Sequence, residues 1–203
     1  MATIQISAGE TQQLIRRIQV ITIAWMVLEV VLSLWSAWKA SSPALAAFGG
    51  DSAVELLSAV VVLWRFRGDG SEEKERIAAR VAGGLLIVLA LFIIVAAAIS
   101  LLGYHQPQPS YFGMAVLVAA LVVMPWLASK KRRLSAVTGS AALRADAAQS
   151  SLCAYLSLIA LVGLATHALW HLEWADPAAA LAVTPLILFE AREALRGKPC
   201  NCG

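Results

Sequence analysis

Long apolar runs, broken at short intervals by polar residues, dominate this chain. Runs able to cross hydrocarbon, at about 20 residues per crossing, lie at 18–38, 44–64, 77–102, 111–128, 141–165 and 177–195. The pattern predicts an all-α membrane protein of six transmembrane helices. Almost nothing remains outside the runs, so we expect a single transmembrane domain over 1–203. Residues 1–17 would form an N-terminal segment, 18–196 the six-helix bundle and 197–203 a short cysteine-containing tail. Pro125 and Pro185 fall inside runs four and six, where packing against other helices tolerates a proline.

Composition agrees with the pattern. The chain is 60% hydrophobic and 14% charged, against about 45–50% and about 25% in soluble domains. No nucleotide-binding glycine loop is present, and no nucleic-acid partner is expected. The first residues are polar, and the first apolar run is too long for a signal peptide. The three cysteines, Cys153, Cys200 and Cys202, do not make a disulfide framework, so reduced thiols are expected.

The placement of charge sets an orientation. Fifteen of the 16 Lys and Arg residues fall at the N-terminus, in the links after runs two and four, or in the tail. With six crossings these all lie on one side, which predicts N-in, C-in topology. Lys39 alone lies opposite. On this reading the run Lys130-Lys-Arg-Arg133 is a topogenic signal. Tyr104, Tyr111, Trp170 and Trp174 border the outer links, as an interfacial aromatic belt would. A cell membrane, the bacterial inner membrane, is the expected location.

Two acids interrupt the second run. Asp51 and Glu55 are four residues apart, which stacks them on one helical face. A charge in the middle of a bilayer costs roughly 2.5–3.5 kcal/mol on insertion scales. Two aligned carboxylates repel unless a cation or a proton intervenes. The plainer alternative is a buried pair that only ties helices together.

Gln149 and Cys153 in the fifth run are also four apart, with Asp146 one turn nearer the cytoplasm. At 1.5 Å per residue, Glu55 and Cys153 lie at depths of roughly 16 and 18 Å from opposite faces, both near the bilayer centre. If the two helices pack together, two carboxylates, an amide and a thiol converge. Such a set suits a tetrahedral divalent ion, and the thiolate favours zinc or cadmium over magnesium or calcium. An interhelical hydrogen bond and an apolar thiol are the structural alternative.

These residues carry a resemblance. Asp51-Ser-Ala-Val-Glu55 and Arg144-Ala-Asp-Ala-Ala-Gln-Ser-Ser-Leu-Cys153 resemble the metal-helix motifs of the cation diffusion facilitator family, and Trp174-Ala-Asp-Pro177, opening the sixth run, also resembles that family. That family has six membrane helices and paired acidic or histidine motifs on the second and fifth. The resemblance covers nearly the whole chain and points to a short branch without the cytoplasmic C-terminal domain. It implies proton-coupled export of zinc-like divalent ions from the cytoplasm by a homodimer. It departs from the family pattern at Glu55, Cys153 and Gln149, where the family has Asp, Asp and His.

The expected function is therefore secondary active efflux of a divalent transition metal, not an enzymatic one. The metal is cargo, with Asp51, Glu55, Gln149 and Cys153 as its ligands, and no tightly bound cofactor is expected. The expected partners are the ion, the lipid bilayer and a second copy of the chain. Glu29, inside the first run, reads as a proton carrier, a further ligand or a structural acid. Asp146 reads as an accessory residue or as a helix-start acid paired with Arg144. His167 and His171 are four apart, a spacing able to hold zinc on a helix and equally able to be interfacial packing. Cys200-Asn-Cys202 could capture a thiophilic ion. Two other readings stay open: a non-transporting metal sensor or chaperone subunit, and a thiol oxidoreductase using the tail cysteines.

Overall fold

A computed structural model describes residues 8–65, 72–104, 107–139 and 141–196. The six apolar runs become six helices: α1 Ala8–Ala40, α2 Pro43–Arg65, α3 Glu72–Leu101, α4 Tyr111–Thr138, α5 Ala141–Trp170 and α6 Ala175–Arg196. Among the described residues, four of them (α1, α3, α4 and α5) contain segments long and apolar enough to cross a membrane.

Local chemistry sets the ends. Between α1 and α2, Ser41 takes a left-handed turn at φ 49°. Pro43 opens α2, where its missing N–H is not needed, and the Ser42 hydroxyl accepts from Leu45 N at 3.1 Å. Ser110 caps α4 by accepting from Gly113 N, and Gly139 ends that helix at φ 65°, a conformation that costs glycine little.

The helices do not pair equally. α4 with α5, α3 with α6, and α1 with α2 form the broadest contacts, while α2 also touches α3, α5 and α6. α2 is thus the central helix. Small residues let helices approach closely, as expected where lipid gives no hydrophobic drive to associate. A Cβ on Gly163 would lie 2.3 Å from Ala179 Cβ on α6, and one on Gly83 would lie 2.9 Å from Ala191 O.

Phe48, Leu45, Met26, Leu117, Met124 and Leu127 fill the apolar interior. Large apolar side chains also cover the outside. On α3, Leu85, Val88, Leu91, Phe92 and Val95 are exposed and share one face at three- and four-residue spacing. A surface of that kind is matched to hydrocarbon rather than to water.

The fourth helix ends later than expected. The fourth helix does not stop at Ala128 but runs through Lys130–Arg133 to Thr138. The basic run is therefore not simply a solvated link: Lys131 is fully buried. Its neighbours Lys130, Arg132 and Arg133 are exposed. The helix turns about 100° per residue, so four consecutive charges cannot share one environment.

Candidate functional site

The interior is polar along two helical stripes. On α1, Gln19, Thr22, Glu29, Ser33 and Ser36 are buried, while Val27, Leu28, Val31 and Trp35 are exposed. On α5, Asp146, Ser150, Cys153 and Ser157 are all fully buried. Their spacings of three, four and seven place each set on one face, turned towards α2.

The two stripes meet the α2 acids. Glu29 Oε1 accepts from Ser52 Oγ at 2.6 Å and from the Cys153 thiol at 3.4 Å. Its second oxygen, Oε2, accepts from the Trp25 indole N–H. Cys153 lies 3.8 Å from Ser52 Oγ and close to Glu55. Glu55 Oε1 accepts from Ser150 Oγ at 2.6 Å, but the buried Glu55 Oε2 has no hydrogen-bond partner among the described residues. Asp51, also buried, lies beside Glu190 of α6.

One cation answers these acids. Lys131 Nζ lies 3.0 Å from Asp146 Oδ1 and 4.0 Å from Glu55 Oε1. It also donates to Ser150 Oγ at 2.8 Å. Asp146 Oδ2 accepts from Gln19 Nε2 at 2.7 Å, so this one carboxylate joins α1, α4 and α5. A buried ion pair of this kind holds only when its remaining hydrogen-bonding capacity is also met, as it is at Asp146.

The architecture is a six-helix bundle with an apolar exterior and a belt of carboxylates, hydroxyls and a thiol at its centre. The description "Cation efflux transmembrane domain" matches residues 19–197. The chain belongs to the cation efflux family. No curated protein matches it.

Family membership makes the chain a membrane-embedded metal cation transporter, and the resemblance to cation diffusion facilitators stands. The structure brings Glu55 and Cys153 of this transporter together and adds Glu29 to them. It departs from the expected four-way convergence at Gln149, which is half-buried and makes none of these contacts. Ser150 takes the inward position instead: residues 149 and 150 flank the line from Asp146 to Cys153 about equally on an ideal helix, and it is Ser150 that is fully buried. Asp146 does not pair with Arg144, which is exposed. Among the described residues, no three His, Cys, Asp or Glu side chains stand in the geometry of a ready-made metal site. Glu29, Glu55 and Asp146 are engaged instead by hydroxyl, thiol, indole, amide or ammonium partners.

The peripheral candidates separate. His167 is buried in the last turn of α5, with Nδ1 3.0 Å from Leu172 O. His171 lies past the end of that helix, exposed and at φ 55°. The two imidazoles do not share a helical face. Cys200 and Cys202 lie outside the described residues.

Sequence reasoning missed Lys131, Glu190, Ser52, Ser150 and Gln19. For Ser150 and Gln19 a signal was present, since each lies three or four residues from a buried polar neighbour on its own helix. For Lys131 and Glu190 there was none. Both sit in charged stretches that read equally well as solvated ends.

Proposed function

We propose that this chain exports a zinc-like divalent metal ion from the cytoplasm by secondary active transport, with protons moving the other way. One observation supports the reading above all others. Carboxylates from α1 and α2 and a thiol from α5 meet in the buried centre, and one oxygen of Glu55 has no hydrogen-bond partner there. A bare buried carboxylate oxygen is costly, and a passing cation removes that cost.

Glu55, Asp51 and Cys153 are the residues we assign to the ion, with Glu29 joining them from α1. Mixed oxygen and sulfur donors favour zinc or cadmium over magnesium or calcium. Ser52 and Ser150 hold the carboxylates in place and are displaced or re-aimed as the ion binds. Protons compete with the metal for the same carboxylates and thiolate, so affinity falls as pH falls. Release on the acidic side and proton uptake there give antiport. All six helices cross the membrane with both ends in the cytoplasm, and residues 1–203 act as one transmembrane domain. The working unit is a homodimer, and the expected location is the bacterial inner membrane.

The experiment is flux in proteoliposomes loaded with a zinc-sensitive dye, with and without a pH gradient. Zinc uptake that follows the gradient and disappears in Asp51→Ala supports the proposal. Zinc binding without flux would leave a metal-binding membrane protein that does not transport. Undiminished flux in Asp51→Ala would remove the carboxylate pair from the mechanism.

A further inference from the structure

Lys131 is the residue that the transport reading leaves unexplained. It is fully buried, and no other Lys or Arg whose burial is described is. An ammonium reaches such a place only when its charge is answered. Here two carboxylates answer it unequally. Asp146 Oδ1 is at 3.0 Å and Glu55 Oε1 at 4.0 Å. Ser150 bridges the gap, accepting from Lys131 at 2.8 Å and donating to Glu55 at 2.6 Å.

The two carboxylates are not equivalent. Asp146 is also anchored by Gln19 and stands apart from the thiol. Glu55 faces Cys153 and keeps an oxygen without a hydrogen-bond partner among the described residues. A divalent ion on Glu55 would sit within a few ångströms of the ammonium, and in a low-dielectric interior that repulsion is strong. The lysine stem has four rotatable bonds, so a small swing takes the charge wholly onto Asp146.

We infer that the Lys131 ammonium is a tethered substitute for the cargo: it shares Glu55 when no ion is bound there, and withdraws to Asp146 when a metal ion takes that carboxylate. The consequence is that the transporter never buries Glu55 without a positive charge nearby, whether it moves loaded or unloaded. Lys131 then acts as a built-in competitor that limits how tightly metal is held. Asp146 is the site to which it retreats. The inference rests on the assignment of Glu55 to the ion.

The test is calorimetric titration of the purified full chain with zinc and with cadmium at pH 8.5, where protons compete least. Lys131→Gln removes the competitor and should tighten binding at least tenfold. Asp146→Asn removes the retreat and should weaken it at least tenfold. In the double variant there is no ammonium to redirect, so binding should be as tight as in Lys131→Gln. In proteoliposomes Lys131→Gln should lower KM and kcat together, because tighter holding slows release. A salt bridge that only fastens α4 to α5 predicts instead that both single variants shift affinity in the same direction or not at all; either result overturns the inference. If Lys131→Gln does not fold, the double variant compared with Asp146→Asn carries the same decision. Unchanged binding in Glu55→Gln would show that the metal assignment, rather than the role of Lys131, has failed.

Discussion

Two buried carboxylate regions in this bundle behave differently. At the end where α1 turns into α2, Asp176 of α6 is buried. Its Oδ2 accepts from the Ser42 hydroxyl and its Oδ1 from Ala44 N at 3.1 Å. Both oxygens are met by neutral donors, and the backbone donor belongs to the first turn of α2, where a helix dipole favours negative charge. At the bundle centre, Glu29, Asp51 and Glu55 crowd one another around a thiol. One oxygen of Glu55 has no hydrogen-bond partner among the described residues, and the buried cation there also serves Asp146. The first arrangement is complete, and its chemistry is that of a clamp holding α6 to α2. The second is over-supplied with acid and incompletely met, which is the condition that admits a cation. A buried acid is thus read from what faces it, not from its burial.

The largest effect should come from Glu55→Gln. Metal flux in proteoliposomes should fall at least a hundredfold while the protein remains folded, since removing a bare buried charge relieves a cost. Flux within a few-fold of wild type would erase the distinction between the two regions. Cys153→Asp comes next. Replacing a soft sulfur by an oxygen should shift preference from cadmium towards manganese, on the order of tenfold, as measured by competition binding. An unaltered metal profile would take the thiol out of the coordination set.

Asp176→Asn should act on stability instead. Losing charge-assisted hydrogen bonds costs about 2 kcal/mol, so the melting temperature should drop while zinc affinity stays at the wild-type value. A change in affinity would make Asp176 part of the transport site. Gly163→Ala tests packing without charge. Its Cβ would lie 2.3 Å from that of Ala179, and overpacking of this kind costs roughly 1–3 kcal/mol. Thermal melts should show this, with no change in metal preference. The smallest effect should be that of His171→Ala. The residue is exposed beyond the end of α5, and flux should be unchanged.

The comparison also marks how far the sequence could be read. Six helices were legible because their apolar runs are long and their breaks carry Ser, Pro and Gly. The acids of α2 were legible because charge inside such a run is expensive and therefore purposeful. On α5, Ser150 is turned fully inward while Gln149 is half-buried. The pair Gln149 and Cys153 fits a four-residue spacing, but so does Asp146 with Ser150, and Ser150 continues to Cys153. Both stripes are compatible with a helix, and only packing against α2 selects between them.

What the sequence by itself determined is the membrane character, the helix count and the presence of costly polar groups inside apolar runs, because each follows from local composition and from spacing along a single helix. What only the tertiary structure decided is which groups answer one another: Glu29 with Ser52 and Cys153, Asp51 with Glu190, Lys131 with Asp146 and Glu55. Those pairings join residues far apart in the chain. Electrostatic energy depends on distance in space, and the folding of six helices around α2 sets those distances.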